Sequence, residues 1–450
     1  MDKMAFFQDV KENVEAYQDF LRKQGATDIK KWEDIPLTTK QTYLLNYPIE
    51  KAVRKGNVDK CSLIGASSGF SKTGSVYWLK GPEDEERYLG IIEETLKALY
   101  GIDERKTLIV TAAALGMWFG GMQLACFMRS LASRVSYPLT AALPGLDLEE
   151  AAHVVKRFFH LYDQILFITN ASNVSILYSL LKDEPKLLNG TVYFAVVGEY
   201  FSENYRRNMA LRFGHDEHNE VVVWTGYGSA DTGDIAMETR ETIRLRKYFE
   251  FESKELSRKL FQTDDTPMIM KPFGDDLIEI IEGQIVVTKD QLIPLVRYNT
   301  KDRGGVLKKE SLKGIIDEKL YESLPDKMLY IHGRPENSVI FYGTNLMIND
   351  IGNFFYSIEK EISYSGLFEV KKEDSDGVER FVFTVYTFND VSDKKEDCKK
   401  KLIEFLKNYS KEFVAKYDNL RRATKIELID VRLEQISKDK AATKHRFVKE

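Results

Sequence analysis

Ser67-Ser68-Gly69-Phe70-Ser71-Lys72-Thr73-Gly74 joins two apolar runs, Ser62-Leu63-Ile64-Gly65-Ala66 and Ser75-Val76-Tyr77-Trp78-Leu79. Two strands connected by a small, hydroxyl-rich loop with one lysine can cradle phosphate. Small residues let backbone N–H groups approach the oxygens, hydroxyls add donors, and lysine adds a point charge. The same composition also suits a plain hairpin turn. It is not the Gly-x-x-x-x-Gly-Lys-Ser/Thr loop, because the spacing differs and no helix start follows. The rest of the chain has to decide between the two.

The chain has 450 residues, 43% hydrophobic and 30% charged, with a formal net charge of −5. That length suggests more than one domain, and that balance suits a globular protein with an ordinary core. Nothing in it argues for a nucleic-acid surface. Cys61, Cys126 and Cys398 lie far apart and form neither a disulfide framework nor a Cys-x-x-Cys pair. That usage fits a reducing cytoplasm. No basic segment with an apolar core behind it opens the chain, so no signal peptide is expected. Residues 107–128 carry no charge and are long enough to span a membrane. Gly116, Gly120 and Gly121 interrupt them, and a β-rich half precedes a helix-like half, so a buried strand, glycine loop and helix are expected instead.

Taken in order, residues 2–23 space Phe6, Phe7, Val10, Val14, Tyr17 and Leu21 as one amphipathic helix. Residues 32–49 read as a turn and a short helix capped by Thr38 or Thr39. Pro82 and the acids after it open a helix to about residue 100. Strands at 107–113, 134–137, 164–169, 191–197 and 221–225 then alternate with helices at 118–132, 147–160, 171–182 and 202–213. This alternation predicts an α/β domain with a largely parallel sheet. Residues 241–262 read as one long charged helix, and 277–288 as a hairpin across Glu282-Gly283. Near 333–337 the composition shifts to a smaller, lysine-rich α+β unit. It has a hairpin at 367–386, a helix at 393–416 and a strand at 424–431. The expected domains are 1–333 and 334–450.

Three more loops fall where strands should end. Trp224-Thr225-Gly226-Tyr227-Gly228-Ser229-Ala230-Asp231 sets an aromatic among glycines before an acid. It could stack a purine and hold a divalent metal, or be a glycine-rich turn. Arg297-Tyr298-Asn299-Thr300-Lys301-Asp302 ends on an aspartate that could accept from ribose hydroxyls, or be a turn residue. Gly333-Arg334-Pro335-Glu336 puts an arginine on the expected boundary, either reaching a phosphate or lying on the surface. His215-Asp216-Glu217-His218 lacks a third metal ligand and reads as a solvated turn. His153 and His160 have no visible acid–base partner.

In this order the loops resemble those of the adenylate-forming superfamily of acyl-CoA synthetases, luciferases and peptide-synthetase adenylation domains. The branch they are most similar to is the phenylacetate-CoA ligases. The resemblance runs over nearly the whole chain. Ile35-Pro36-Leu37-Thr38-Thr39-Lys40 with Asn46-Tyr47-Pro48 is similar to the branch's N-terminal segment, and residues 67–74 take the place of its phosphate loop. Met117-Trp118-Phe119-Gly120-Gly121-Met122 resembles its aromatic substrate-side segment, and Val197-Gly198-Glu199-Tyr200-Phe201-Ser202-Glu203 its G-G-E-x-x-S-E run. Tyr227 to Asp231, Arg297 to Asp302, and Gly333 to Asn345 stand for its remaining motifs.

The resemblance implies a large α/β N-terminal domain with mixed or parallel sheets and a small mobile α+β C-terminal domain. It implies ATP, Mg²⁺ and coenzyme A as cofactors, a small aryl or hydrophobic carboxylic acid as substrate, and neither nucleic acid nor membrane as partner. Ser67, Ser68, Gly69, Ser71, Lys72 and Thr73 would clasp phosphates, Gly198 and Glu199 would border adenine, and Tyr227 beside Gly228 would stack on it. Asp231 would be the metal-linked acid, Asp302 would hold the ribose, and Arg334 would contact phosphate or ribose. Glu336 would be the pivot, Trp118 and Phe119 would wall the acyl pocket, and Lys444 would be the catalytic lysine of the tail. The chain departs from the pattern at four places in the loops. Ala230 replaces a hydroxyl, Asp231 a glutamate and Lys301 a glycine, and the loop lysine falls one place early. Which tail lysine corresponds to the family's is open among Lys438, Lys440 and Lys444. The acceptor could equally be an amine or a carrier-protein thiol, and the departures also suit a nucleotide-binding protein with altered or lost catalysis.

Overall fold

The computed structural model describes residues 2–66, 77–117, 119–263, 266–274, 277–333, 338–341, 344–375, 378–409, 413–414, 417–418, 421, 425–437 and 448–449. Apolar alternation builds β1 (Leu63–Ala66) and β2 (Tyr77–Lys80), an antiparallel pair on either side of residues 67–76. The continuously apolar runs β3 (Thr107–Ala112), β5 (Gln164–Thr169) and β6 (Val192–Val196) are buried on both faces, as a helix-covered parallel sheet requires. With β4 (Leu139–Ala142) and β7 (Val223–Ser229) they form the parallel half of an 11-stranded sheet. The antiparallel half continues through β8 (Gly233–Met237), β9 (Met268–Pro272), β10 (Leu277–Ile281), β11 (Gln284–Lys289), β12 (Leu295–Lys308) and β13 (Lys327–Gly333). The sheet is therefore mixed, and its β-rich second half extends the first.

Helices α1 (Lys3–Asn13) and α2 (Glu15–Lys23) replace the single expected helix. Val14 breaks it with φ −118° and ψ 107°, which re-phases the chain so that Phe6, Phe7, Val10, Tyr17, Phe20 and Leu21 all reach one cluster. Residues 32–49 hold short 3₁₀ turns instead of an α-helix. Thr38 caps nothing. Its hydroxyl donates to the Val296 carbonyl at 3.0 Å, and its backbone pairs with β12 beside Tyr298. Thr39 does cap locally, accepting from the Thr42 N–H at 2.9 Å.

Next come α3 (Pro82–Tyr100), α4 (Phe119–Arg134), α5 (Leu148–Phe158), α6 (Ala171–Leu181) and α7 (Glu203–Arg212), close to the expected spans. The strand expected at 134–137 lies at 139–142, because α4 runs on to Arg134. The long helix expected at 241–262 is α8 (Arg240–Lys247), a π turn at Tyr248–Glu252, and α9 (Lys254–Phe261). The wider turn and the non-helical Ser253 bring Leu245, Phe249 and Phe261 into one cluster with Ile269 and Met328. After α10 (Glu318–Ser323) and β13 comes a separate apolar cluster from Val339 to Val431. It is built on β14 (Ser338–Phe341), β15 (Thr344–Met347), α11 (Ile348–Ser357), α12 (Glu359–Ile362), β16 (Tyr364–Ser375), β17 (Val378–Thr387), α13 (Lys395–Tyr409) and β18 (Ile429–Gln435). β18 begins five residues beyond the expected 424, while β19 (Val448–Lys449) pairs with β16. No helix among the described residues is long and apolar enough to cross a membrane.

Four fully buried charges lock the central region. Arg206 bonds Glu203 at 3.0 Å and Glu238 at 2.6 Å, and Arg246 bonds Glu203 at 2.9 Å. Burial pushes the Glu203 carboxyl up, but Arg206 and Arg246 outweigh it and hold it below the usual range. Removing one member strands the others out of water, so Arg206→Met should cost about 3–5 kcal/mol in urea unfolding.

Candidate active site

The strands of the parallel half end on one side, where ligands bind in open α/β sheets. At the end of β6, Gly198 turns the chain with φ +75°. A side chain would be strained there and would approach the Asn170 amide. Glu199 then lies over the start of α6. Its carboxylate accepts from the Ser172 N–H at 2.7 Å and the Ser172 hydroxyl at 3.0 Å, capping two otherwise open donors at the positive end of the helix. A small cleft of about 40 Å³ opens beside it, lined by Ser172, Glu199 and Tyr205 on one wall and Asn349, Tyr356 and Gly366 on the other.

At the end of β7, the Tyr227 hydroxyl donates to Asp302 Oδ2 at 2.8 Å. The pairing of β11 with β12 explains how Asp302 arrives there. Gln284 faces Arg303 while Val286 faces Asn299, so β12 carries two more residues than β11 across that interval. The bulge pushes out Thr300, Lys301 and Asp302. Lys301 sits at φ +67°, the conformation that favours glycine, with its N–H donating to Asn299 Oδ1 at 2.8 Å. Lys301→Gly should raise unfolding stability by about 1 kcal/mol and leave the bulge in place.

The β7–β8 turn carries Asp231. Tyr298 donates to its Oδ2, and Gln291 Nε2 donates to its backbone carbonyl at 2.7 Å. Gly228 packs on the turn so closely that a Cβ would stand 2.5 Å from the Gly233 carbonyl. Ala230 packs against the N-terminal apolar cluster. Phe119 is buried in the same cluster, with its ring against Gly65 of β1. Thus Tyr227 and Asp302 meet directly, Asp231 shares the β7–β8 hairpin with Tyr227, and Gly198 and Glu199 hold the neighbouring strand end. Ser67, Ser68, Gly69, Ser71, Lys72, Thr73, Trp118, Arg334, Glu336 and Lys444 lie outside the described residues.

Three partners of this site are assigned no role by the sequence, although Arg297 and Tyr298 open the motif that ends on Asp302. Tyr298 supports Asp231, Lys80 bonds Gln291 Oε1 at 3.1 Å, and Arg297 clamps the N-terminal segment. Arg297 Nη1 donates to the carbonyls of Trp32, Glu33 and Ile35 at 3.3, 2.9 and 2.6 Å. The one signal available for Lys80 was a lysine ending an apolar strand just before a helix start. His215 is not solvated as expected. It is buried on the Val192 carbonyl, and burial holds its pKa down, while His218 is exposed.

No protein-family model matches the sequence, and no curated protein matches it. Solved structures do. A 2-hydroxyisobutyryl-CoA ligase in its postadenylation state, in complex with R3-HIB-AMP, superposes with a TM-score of 0.62 at 13% identity, over 98% of this chain and 86% of that one. The acyl acid amido synthetase AtGH3.15, in complex with 2,4-DB, gives 0.56 at 12% identity over 96% and 89%. This is the adenylate-forming fold. Within that fold, Asp231 fits the way Mg²⁺ is usually held, by one or two carboxylates completed by substrate phosphates. The described residues contain no group of three or more acids, histidines or cysteines that would cage a metal without them.

Below the turn, burial raises the Asp234 carboxyl from 3.8 to about 6, with Lys289 and Lys80 pulling the other way. Its folded value lies above its unfolded one. It therefore favours the fold below the unfolded value, and that contribution is lost as pH rises through about 6. Asp234→Asn should gain stability over the parent as pH climbs from about 4 to about 6. The gain should level off at about 3 kcal/mol above that, read from urea unfolding across a pH series.

Proposed function

We propose that this protein is an ATP-dependent, AMP-forming ligase that activates a small aryl or other hydrophobic carboxylic acid and passes it to coenzyme A, as phenylacetate-CoA ligases do. The observation that carries the reading is the Tyr227–Asp302 pair, which ties the hairpin that also bears Asp231 to the β12 bulge, beside the carboxyl end of parallel strand β7. Asp302 accepts the ribose hydroxyls while the Tyr227 hydroxyl fixes its rotamer and the Tyr227 ring faces adenine. Gly198 and Glu199 border the base from β6. The 67–74 loop, with Lys72, clasps the outer phosphates. Mg²⁺, when bound to Asp231 and the phosphates, offsets the charge that accumulates there.

The chemistry asks the chain for positioning and electrostatics rather than covalent help. The acid's carboxylate attacks the α-phosphate, the bond to the β-phosphate breaks, and pyrophosphate leaves with its electrons. A thiolate then attacks the acyl carbon and expels AMP. Residues 1–333 bind nucleotide and acid in this reading. Residues 334–450 turn about Glu336, bringing Arg334 to phosphate or ribose and Lys444 to the reacting groups.

A second acceptor class has its own support. The likeness to an acyl acid amido synthetase favours an amine as readily as a thiol. Exchange of labelled pyrophosphate into ATP, run over a broad panel of acids, tests the first half-reaction. We expect exchange with a hydrophobic acid, and Asp302→Ala should raise the KM for ATP by about ten- to a hundredfold. Lys72→Ala should weaken ATP use as well. Competition between coenzyme A and amines for the activated acyl group then identifies the acceptor. AMP binding without exchange for any acid would make this a nucleotide-binding protein that no longer turns over.

A further inference from the structure

Lys80 ends β2, the strand that follows residues 67–76. Its side chain is buried beneath the β7–β8 turn at 4% exposure, with the ammonium 3.1 Å from Gln291 Oε1. The other end of that amide, Nε2, donates to the Asp231 carbonyl at 2.7 Å. Gly233 closes the far side. A Cβ there would stand 3.3 Å from the Tyr88 ring and 3.6 Å from Lys80 Nζ. The Asp231 carboxylate meanwhile accepts from Tyr298.

An ammonium held out of water is costly unless opposite charge and hydrogen bonds compensate. Asp84, Asp231 and Asp234 supply opposite charge here, while Lys289 adds like charge. Burial pulls the Lys80 pKa down to about 8, with Asp84 opposing the fall. Such a group is an expensive way to fill space, and its geometry shows what it accomplishes. An amide has a donor end and an acceptor end, whereas an ammonium only donates. With Lys80 on Oε1, the donor end of Gln291 must point at Asp231. The ammonium therefore sets which way the amide faces, and the amide sets where the Asp231 turn rests.

We propose that Lys80 is a positioning residue that orients Gln291, which in turn holds the Asp231 turn where metal and phosphates are handled. The inference rests on the reading of this hairpin as a nucleotide site. It links the strand after residues 67–76 to the acid 151 positions later through one glutamine.

Two variants of the full chain test it by calorimetry, with ATP plus Mg²⁺ and with AMP alone. Gln291→Glu keeps an acceptor for Lys80 but loses the donor to Asp231. Lys80→Met removes the ammonium, and if it fails to fold the glutamine variant carries the test. Each should weaken ATP with Mg²⁺ by about tenfold. AMP alone, held by adenine and ribose contacts, should stay within about twofold. The double variant should be no weaker than either single, because both act through one link. Unchanged ATP affinity in Gln291→Glu, equal losses for AMP and ATP, or additive losses would overturn the proposal. If the unaltered chain binds neither nucleotide, the functional reading falls first, before any variant is compared.

Discussion

Arg206, with Glu203, Glu238 and Arg246, is the interaction on which the site's geometry depends. The four charges sum to zero and are out of water. Such a group adds little net stability over a well-packed apolar core, because desolvation offsets most of the attraction. What it does supply is direction. Glu238 Oε2 accepts from the Thr225 N–H at 3.1 Å, which fixes β7. Arg206 reaches the carbonyls of Glu220 and Val223 just before it. Arg246 reaches the Phe201 carbonyl at 2.8 Å and the Tyr200 hydroxyl at 2.9 Å, which fixes the segment after Glu199. One polar knot therefore sets the relative placement of two strand ends, and with them Glu199, Tyr227 and Asp231. Each member has more than one hydrogen-bond partner inside or just outside the group, so small displacements are opposed from more than one side.

A second constraint acts from the N-terminal segment. Thr38 accepts from Asn299 N at 2.8 Å and donates its own N–H to the Arg297 carbonyl at 3.1 Å, so residues 35–39 run beside β12. Arg297 stands at φ +44°, buried, with its guanidinium turned onto three carbonyls of residues 32–35. It holds a chain segment more than 260 positions away. The bulge carrying Lys301 and Asp302 begins immediately after these contacts. Its position is thus set by N-terminal packing on one edge of β12 and by the register with β11 on the other. The N-terminal helices are consequently part of the site's foundation, although none of their residues reaches it.

These two constraints divide what the sequence made legible from what it did not. Period and run length were enough for β3, β5 and β6 and most covering helices, because a strand buried on both faces must be apolar throughout. The family resemblance gives Tyr227 and Asp302 separate roles, and the hydrogen bond between them is a contact that neither loop's sequence records. The failures have a common physical form. Val14, the π turn at Tyr248–Glu252 and the 3₁₀ turns of residues 32–49 are adjustments of phase. They bring side chains from non-adjacent segments into one cluster, and local periodicity does not record the need for them. Thr38 reads locally as a helix cap because its partner is strand β12, far away in the chain. Lys80 and Gln291 are single polar residues 211 positions apart, and neither has meaning without the other.

The departures from the adenylate-forming pattern can be placed against this background. Lys301 stands where the pattern has glycine, yet its backbone holds the left-handed conformation that glycine favours. The turn has kept its shape and accepted strain to do so. Ala230 stands where the pattern has a hydroxyl, and its methyl packs on the cluster containing Trp78, Leu79 and Phe119. A hydroxyl directed there would be set among apolar groups with a partner still to find. Asp231 is one methylene shorter than the glutamate it replaces, and both its carboxylate and its carbonyl are held, by Tyr298 and Gln291. In each case the side chain has changed while the backbone stays tightly specified. The strained Lys301 turn and the buried Lys80 are both engaged in hydrogen bonds, so the backbone that carries Asp231 and Asp302 is fixed from more than one side.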